Sequence, residues 1–578
     1  MPAGVIPARS LQAVPASARA SRFRYSPAAL TIYFARGESD ANLIQVLKPM
    51  KPMEIAVDCN DTTETQPLEH YWSLCVGAGR ANEGLRAAWQ QQLRRVVLSC
   101  GFRYIRFHGL FHDDMFVYRE VDGTPVYTFD YIDELFDSLL RIGIRPFVEL
   151  GFCPPDLATE RGTVFWWKGN GSPPKDMNRW NELVERTVKH WIGRYGIEEV
   201  RNWYFEVWNE PNISVFFRGT QEQYFELYRN TVTTIKRIDE HLRVGGPATS
   251  NFYQAGESDS LSDEEKAEAR FEGELDLNGV PWLGVWIREF LDFLTRENLP
   301  CDFISTHPYP TIFALDTDGN YEGEPRPVWS LKRDLLWVRD RMSTSPYRDA
   351  QLHCTEWNTS PSPVDHTHDY LQAATYVVRS MLHAATVADS VSYWVFSDIF
   401  EEQGAPAGMF HGGFGMLNRQ GIAKPVFHAF RFLNTLGDRE IRRWAWGIAT
   451  RDSRTGKLSL LAYNYPDEIT TAVPVSHKKP DLAEKTLRTG SPRRVTLTLS
   501  NCSPGASFVV ETLDEHHGNA PAQWRAMGAP AEPTLEQLGV IRRAGEETKV
   551  EAMTCDENGE LRLERELSPW AVMLVREL

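Results

Sequence analysis

Trp203-Tyr204-Phe205-Glu206-Val207-Trp208-Asn209-Glu210-Pro211 reads as a buried strand that ends in a carboxylate. Aromatic and β-branched residues favour extended backbone, and Pro211, lacking an amide proton, stops the pairing. A second run of the same kind, Leu352-His353-Cys354-Thr355-Glu356-Trp357-Asn358, also closes on a glutamate.

Short apolar runs recur along the chain from about residue 70. They are Ser73–Val76, Tyr104–His108, Arg145–Leu150, Trp203–Trp208, Arg243–Gly246, Phe303–Thr306, Leu352–Glu356 and Ser392–Phe396. Amphipathic stretches lie between most of them. In Gly84–Cys100, for example, Leu85, Ala88, Trp89, Leu93, Val96 and Val97 fall on one helical face; Ile132–Ile142 and Asn178–Tyr195 read likewise. Eight strand–helix units in series predict a (β/α)8 barrel. After about Leu436 the pattern changes to short strands such as Leu458–Tyr465, Arg494–Leu499, Ser507–Leu513 and Ala571–Val575, separated by turn residues. This predicts a smaller C-terminal β-sandwich, which the strand-like stretch Leu30–Val57 can join. The expected division is residues 1–25 as a disordered leader, 26–70 as strands joining the sandwich, 71–436 as the barrel and 437–578 as the sandwich. The acidic stretch Tyr253–Leu277 reads as a solvated insertion after the fifth strand.

The net charge of -16 argues against nucleic acid, whose phosphates need clustered Lys and Arg, and against an acidic membrane surface. No run of ~18 apolar residues suggests a membrane span. No apolar segment of a signal peptide precedes the small-residue stretch Val14–Ala20. The eight cysteines show no CxxC spacing. Buried free thiols are then the default, and a cytoplasmic location is expected, with the periplasm as the alternative. Oligomeric state is open between monomer and homo-oligomer.

Polar residues gather at the C-terminal ends of the strands: Arg106 and His108, Asn209 and Glu210, His307 and Tyr309, Glu356 and Asn358, and Asp398. That end of a barrel carries the chemistry. Glu356 follows Glu210 by 146 residues and three strands, which places the two across the barrel mouth. A carboxyl pair there can bracket a glycosidic oxygen, one as proton donor and one as nucleophile or base. Apolar neighbours would desolvate Glu210 and keep it protonated. Asn209 and His108 can reach sugar hydroxyls, and Tyr309 can hold a nucleophile ionised. The separation of the carboxyls, which decides retention or inversion, is not readable from spacing.

With these motifs, and with Gly101–Leu110 followed by Asp113-Asp114, Trp166-Trp167-Lys168-Gly169-Asn170, Pro173-Pro174-Lys175-Asp176, Ser392–Asp398 and Phe400-Glu401-Glu402-Gln403, the chain resembles glycoside hydrolase family 39 in its β-xylosidase branch. The resemblance runs from about Trp72 to Leu436. It implies a retaining exo-acting hydrolase of xylo-oligosaccharides that needs no metal or cofactor, with Glu210 as acid/base and Glu356 as nucleophile. It further implies that His108, Asn209, His307, Tyr309, Trp394, Glu401 and Glu402 line the site for the non-reducing xylose, with Trp394 as its floor. The chain departs from the pattern at Pro308, between His307 and Tyr309. Three alternatives stand beside this reading. One is a related retaining glycosidase, an arabinosidase or an α-L-iduronidase whose substrate carboxylate Arg106 would meet. Another is a metal-dependent barrel hydrolase using His366 and His368. The third is a sugar-binding protein that needs neither glutamate.

Overall fold

The computed structural model describes residues 52–60, 65–250, 253–254, 282–283, 285–315, 321–384, 386–405, 408–473 and 480–578, all within one compact unit, Pro49–Leu578. The expected leader 1–25, and Tyr253–Leu277 beyond a two-residue strand at Tyr253–Gln254, lie outside the described residues.

Eight parallel strands close into a barrel in chain order. They are β1 (Cys75–Arg80), β2 (Tyr104–His108), β3 (Arg145–Leu150), β4 (Tyr204–Val207), β5 (Arg243–Ser250), β6 (Phe303–His307), β7 (Gln351–Trp357) and β8 (Ser390–Tyr393). Closure is made by β8 against β1, where Tyr393 pairs with Val76. All eight expected strands are present. β1 and β8 are each displaced by two residues at their starts, because apolar residues run past the paired segments in both. Each crossover is covered by helices such as Ala87–Cys100, Asp130–Ile142 and Met177–Tyr195.

Side chains of a strand alternate between faces, so the barrel interior is built in layers. At the floor, Tyr104, Phe147, Tyr204 and Phe303 pack together with Leu74 and Cys75. The rings of Phe147 and Tyr204 stack at 4.8 Å, and His353 packs edge-on against both. This aromatic plug seals the N-terminal end. Two residues further along the same strands come Arg106, Glu149, Glu206 and Thr355, all buried. One step higher stand His108 and His307. Apolar packing at one end and polar, charged groups at the other leave only the C-terminal mouth for chemistry.

Ten further strands form a sandwich of a seven-stranded and a three-stranded sheet, and the others described pair as two-stranded ribbons. The N-terminal strand Met53–Asp58 runs parallel to Arg493–Ser500, which pairs antiparallel with Leu561–Leu567. Its alternation of buried and exposed residues puts Met53, Ile55 and Val57 against Leu460, Phe508, Val510 and Met573 of the facing sheet. The segment Met53–Asp58 thus enters the sandwich, and residues 26–51 of the expected N-terminal strands lie outside the described residues. Beside these strands the C-terminal region also holds helices Ala520–Ala526 and Leu535–Glu546. The second begins on a capping box of Thr534 and Gln537. Only Ile541 and Gly545 of this helix are fully buried, so its apolar periodicity is faint in the sequence.

Cys59 directly follows Asp58, and Cys502 lies two residues beyond Ser500, the last paired residues of two neighbouring parallel strands. They are disulfide-bonded with a Cα–Cα distance of 5.1 Å. Cys75, Cys100, Cys153, Cys301, Cys354 and Cys555 are free, as expected for buried thiols, but this pair corrects that expectation. A separation of 443 residues hides the pairing from the sequence. Cys59→Ser is expected to lower stability by about 2–4 kcal/mol in oxidised protein and to have little effect in dithiothreitol. Denaturant midpoints of both proteins under both conditions measure this.

Candidate active site

At the open mouth lies a cavity of about 470 Å³, including its opening, a size suited to a small ligand. Phe165, Phe216, Trp394 and Phe414 form apolar walls, and His108, Asn209, Glu210, Tyr309, Glu356 and Glu402 present polar groups. No Lys or Arg lines it among the described residues.

Glu210 is delivered by the loop after β4. Trp208 and Glu210 both have left-handed backbone, with φ of 74° and 44°, which is uncommon outside glycine. The tertiary structure enforces it. The Trp208 ring is fully buried and its Nε1 donates to the Phe216 carbonyl at 2.9 Å, while the Glu210 amide donates to the Ala248 carbonyl at 3.0 Å. Strained backbone of this kind concentrates at functional sites, and here it turns the carboxyl into the mouth.

Glu356, near the end of β7, faces Glu210. One oxygen of each, together with Nδ1 or Nε2 of His307, lies within 4.8 Å of the others. Tyr309 donates to Glu356 Oε1 at 2.6 Å, and Arg106 Nη1 to Oε2 at 3.3 Å. His307 Nδ1 is 2.8 Å from Glu210 Oε1 and 3.8 Å from Glu356 Oε2. Pro308 therefore does not keep Tyr309 from the site.

The two glutamates are in different electrostatic situations. Burial pushes the Glu210 carboxyl up to about 7, against smaller opposing effects of the Ser250 hydroxyl and Arg106. Burial raises Glu356 as well, opposed by His307 and Arg106 and reinforced by Glu210. Its two donors nevertheless favour charge on Glu356, because a phenol and a guanidinium both stabilise a carboxylate. Burial holds His307 down to about 4, so it is neutral near pH 7. Burial, with Glu356, Glu83 and Glu210 nearby, raises the Glu402 carboxyl well above its ordinary value, which favours its protonated form.

Arg106 organises the layer beneath. Its Nε donates to Glu206 at 2.6 Å, and Nη2 to Glu149 at 3.0 Å and to Asn209 Oδ1 at 2.9 Å. With Asn209 Oδ1 so occupied, the amide NH2 remains for a ligand hydroxyl. Glu149 also holds His108, at 2.6 Å from its Nδ1. This leaves His108 Nε2 toward the cavity, 4.0 Å from Glu402.

The expected site residues thus divide. His108, Asn209, Glu210, Tyr309, Glu356, Trp394 and Glu402 come together around the cavity, and His307 supports Glu210 from behind. Glu401 does not line it. Its carboxylate is taken by Arg80 at 2.9 Å and Arg86 at 2.7 Å, which corrects its expected role, since adjacent side chains in this loop point opposite ways. Arg106, weighed as a partner for a substrate carboxylate, is fully buried and committed to three glutamates. His368 bonds the Gly412 carbonyl at 2.9 Å and faces the Ser360 hydroxyl at 3.3 Å, which is structural work and not metal ligation. Glu210, His307 and Glu356 are spaced closely enough to hold a cation, but Arg106 and Tyr309 already occupy Glu356, and a guanidinium repels a metal ion. Glu149, Glu206, Thr355 and the aromatic walls Phe165, Phe216 and Phe414 were not anticipated. The period-2 register of β2 to β4 and β7, which aligns residues 106, 149, 206 and 355, carried the signal for the inner layer.

The geometry agrees with the comparisons. The model of the glycosyl hydrolases family 39 matches residues 53–268 and 273–562. A β-xylosidase of Geobacillus stearothermophilus is 38% identical over 481 residues, covering 82% of this chain and 86% of that protein. Among solved structures, the GH39 enzyme of Xanthomonas axonopodis pv. citri superposes with a TM-score of 0.79 at 30% identity, covering 93% of this chain and 99% of the other. A monomeric β-xylosidase of Caulobacter crescentus CB15 does so with a TM-score of 0.77 at 32% identity, covering 91% and 99%. A strained loop that aims one glutamate at another across a barrel mouth, and a family match over nearly the whole described chain, lead to one conclusion: the chain is a member of glycoside hydrolase family 39.

Proposed function

We propose that the protein is a retaining exo-β-xylosidase that releases xylose from the non-reducing ends of xylo-oligosaccharides. The observation that carries the mechanism is the approach of the Glu210 and Glu356 carboxyl oxygens to within 4.8 Å. Retaining glycosidases hold their carboxyls about 5–5.5 Å apart, whereas inverting ones need about 6.5–9.5 Å for a water. Glu356, held ionised by Tyr309 and Arg106, attacks the anomeric carbon while Glu210 gives its proton to the departing glycosidic oxygen. The covalent xylosyl–Glu356 ester then breaks when Glu210, now a carboxylate, takes a proton from the attacking water. Net configuration is retained.

The substrate class follows from the walls and from the relatives. The cavity is closed below by the barrel floor and offers room for one sugar, which favours exo action. His108, the Asn209 amide and neutral Glu402 are placed to bond its hydroxyls, and Trp394 supplies an apolar face. A uronic acid is disfavoured, since its carboxylate would meet ionised Glu356 and find no Lys or Arg in the lining among the described residues. The Cys59–Cys502 bond favours an oxidising compartment, the periplasm over the cytoplasm; no helix among the described residues is long and apolar enough to cross a membrane.

Glu210→Ala tests this assignment. Hydrolysis of xylobiose is expected to fall about 10²–10⁴-fold, with a much smaller loss for an aryl xyloside whose leaving group needs no proton. Azide should yield the β-xylosyl azide. In the parent enzyme kcat/KM should decline as pH rises through about 7, because Glu210 then loses the proton it must give. The variant should lack that alkaline limb. An unchanged pH profile in Glu210→Ala would refute the role.

A further inference from the structure

A chain of buried hydrogen bonds runs behind the acid. Glu206 Oε2 accepts from Arg106 Nε at 2.6 Å, and its Oε1 lies 2.8 Å from the Thr355 hydroxyl. The same hydroxyl lies 3.0 Å from His307 Nε2, and His307 Nδ1 lies 2.8 Å from Glu210 Oε1. Glu206, Thr355 and His307 are all fully buried, so no water can exchange these partners freely.

Proton counting gives this chain one direction. The Glu206 carboxylate, paired with a guanidinium, can only accept, so the single hydroxyl proton of Thr355 goes to it. Thr355 Oγ1 must then accept from His307 Nε2–H. A neutral imidazole has one N–H, so Nδ1 is left as an acceptor, and the contact with Glu210 forms only if Glu210 supplies the proton. We propose that Thr355, anchored by Glu206, fixes the Nε2–H tautomer of His307 and thereby holds Glu210 in its proton-donating form. Thr355 and Glu206 are positioning residues: neither lines the cavity. The inference rests on the reading of Glu210 as the acid.

The charged and titratable groups around the His307 ring agree with a neutral imidazole. Glu210, after β4, faces Nδ1 with its proton, and Glu356, near the end of β7, favours the imidazolium. So does Glu206 of β4, while Arg106 and His108 of β2 oppose it. Burial outweighs the carboxylates and keeps the ring uncharged near pH 7. In the first step the single Glu210 proton leaves its contact with Nδ1 and passes to the glycosidic oxygen, after which the carboxylate faces an acceptor nitrogen and not a donor. That arrangement makes the carboxylate a stronger base for the second step, in which it must take a proton from water.

Thr355→Val removes the hydroxyl while keeping the shape, and Thr355→Ser restores it. In the valine variant His307 Nε2 loses its acceptor, the ring can move its proton to Nδ1, and a donor then stabilises ionised Glu210. The alkaline limb of kcat/KM should shift down by about one pH unit. Xylobiose hydrolysis should fall roughly five- to tenfold above pH 7, while hydrolysis of xylosyl fluoride, whose leaving group needs no proton, stays within about twofold. Thr355→Ser should return both to the parental values. Imidazole ¹⁵N shifts of the parent enzyme near pH 7 should show His307 protonated at Nε2; this measurement decides the matter even if the valine variant does not fold. An Nδ1–H tautomer in the parent, an unmoved alkaline limb in Thr355→Val, or equal losses on xylobiose and xylosyl fluoride would each overturn the proposal. If Glu210 is not the acid, the alkaline limb survives Glu210→Ala, which separates failure of that reading from failure of this one.

Discussion

Glu356→Ala is expected to abolish turnover of an aryl β-xyloside, by about 10⁴–10⁶-fold, the range seen when a covalent nucleophile is removed. No other group of the site can take over. Tyr309 is held neutral, since burial and the neighbouring carboxylates raise its hydroxyl well above its ordinary range. Glu210 is needed with its proton, and Glu402 is itself a neutral acid. The fold should survive, because the variant removes one of several negative charges around Arg106 and leaves Glu149 and Glu206 to balance it. Azide should enter the vacated space and attack from the same face, giving the α-xylosyl azide, inverted at the anomeric carbon. Product configuration by proton NMR is the measurement. A β-azide from Glu356→Ala would assign the nucleophile elsewhere, and hydrolysis at near-parental rates would remove the double-displacement mechanism altogether.

The second large effect is expected at Arg106. Arg106→Met keeps the length of the side chain and removes its charge, leaving Glu149, Glu206 and Glu356 clustered around an apolar group. Breaking a buried ion pair by deleting one partner costs about 3–5 kcal/mol, and here three carboxylates lose the same cation. Arg106→Lys should recover only part of the loss, because an ammonium cannot meet four acceptors spread around a planar fork. Denaturant midpoints measure the stability. Activity should fall beyond what stability explains. Without the guanidinium Glu356 holds its charge less well, so the acid limb of kcat/KM should move to higher pH. An acid limb unchanged in Arg106→Lys and Arg106→Met would show that Tyr309 alone keeps Glu356 ionised.

Several of these groups were legible before any coordinates. Strand alternation and turn residues placed eight parallel strands, and the run ending at Glu210 announced its own role, because a carboxylate after an aromatic strand and before a proline has few other uses. Tyr309 was legible in the same way, as a phenol just beyond a strand end. Glu401 and Glu402 were not separable: two adjacent carboxylates look alike in sequence, and only the positions of Arg80 and Arg86 tell which one turns away from the cavity. Arg106 showed itself as a cation near the mouth, but its occupation by three glutamates depends on residues from three other strands. The Cys59–Cys502 bond depends on a parallel pairing between strands Met53–Asp58 and Arg493–Ser500, far apart in sequence.

The barrel, the sandwich and the pair of glutamates are legible in the residues, because period-2 and helical patterning act over a few positions and are written locally. The approach of the carboxyl oxygens to within 4.8 Å, the division of charge between them and the proton order behind Glu210 are set by the folded chain. Those quantities depend on barrel closure, which brings residues 106, 206, 307, 355 and 356 together in a space from which water is excluded. Distance and desolvation, not residue identity, set what each carboxyl does there.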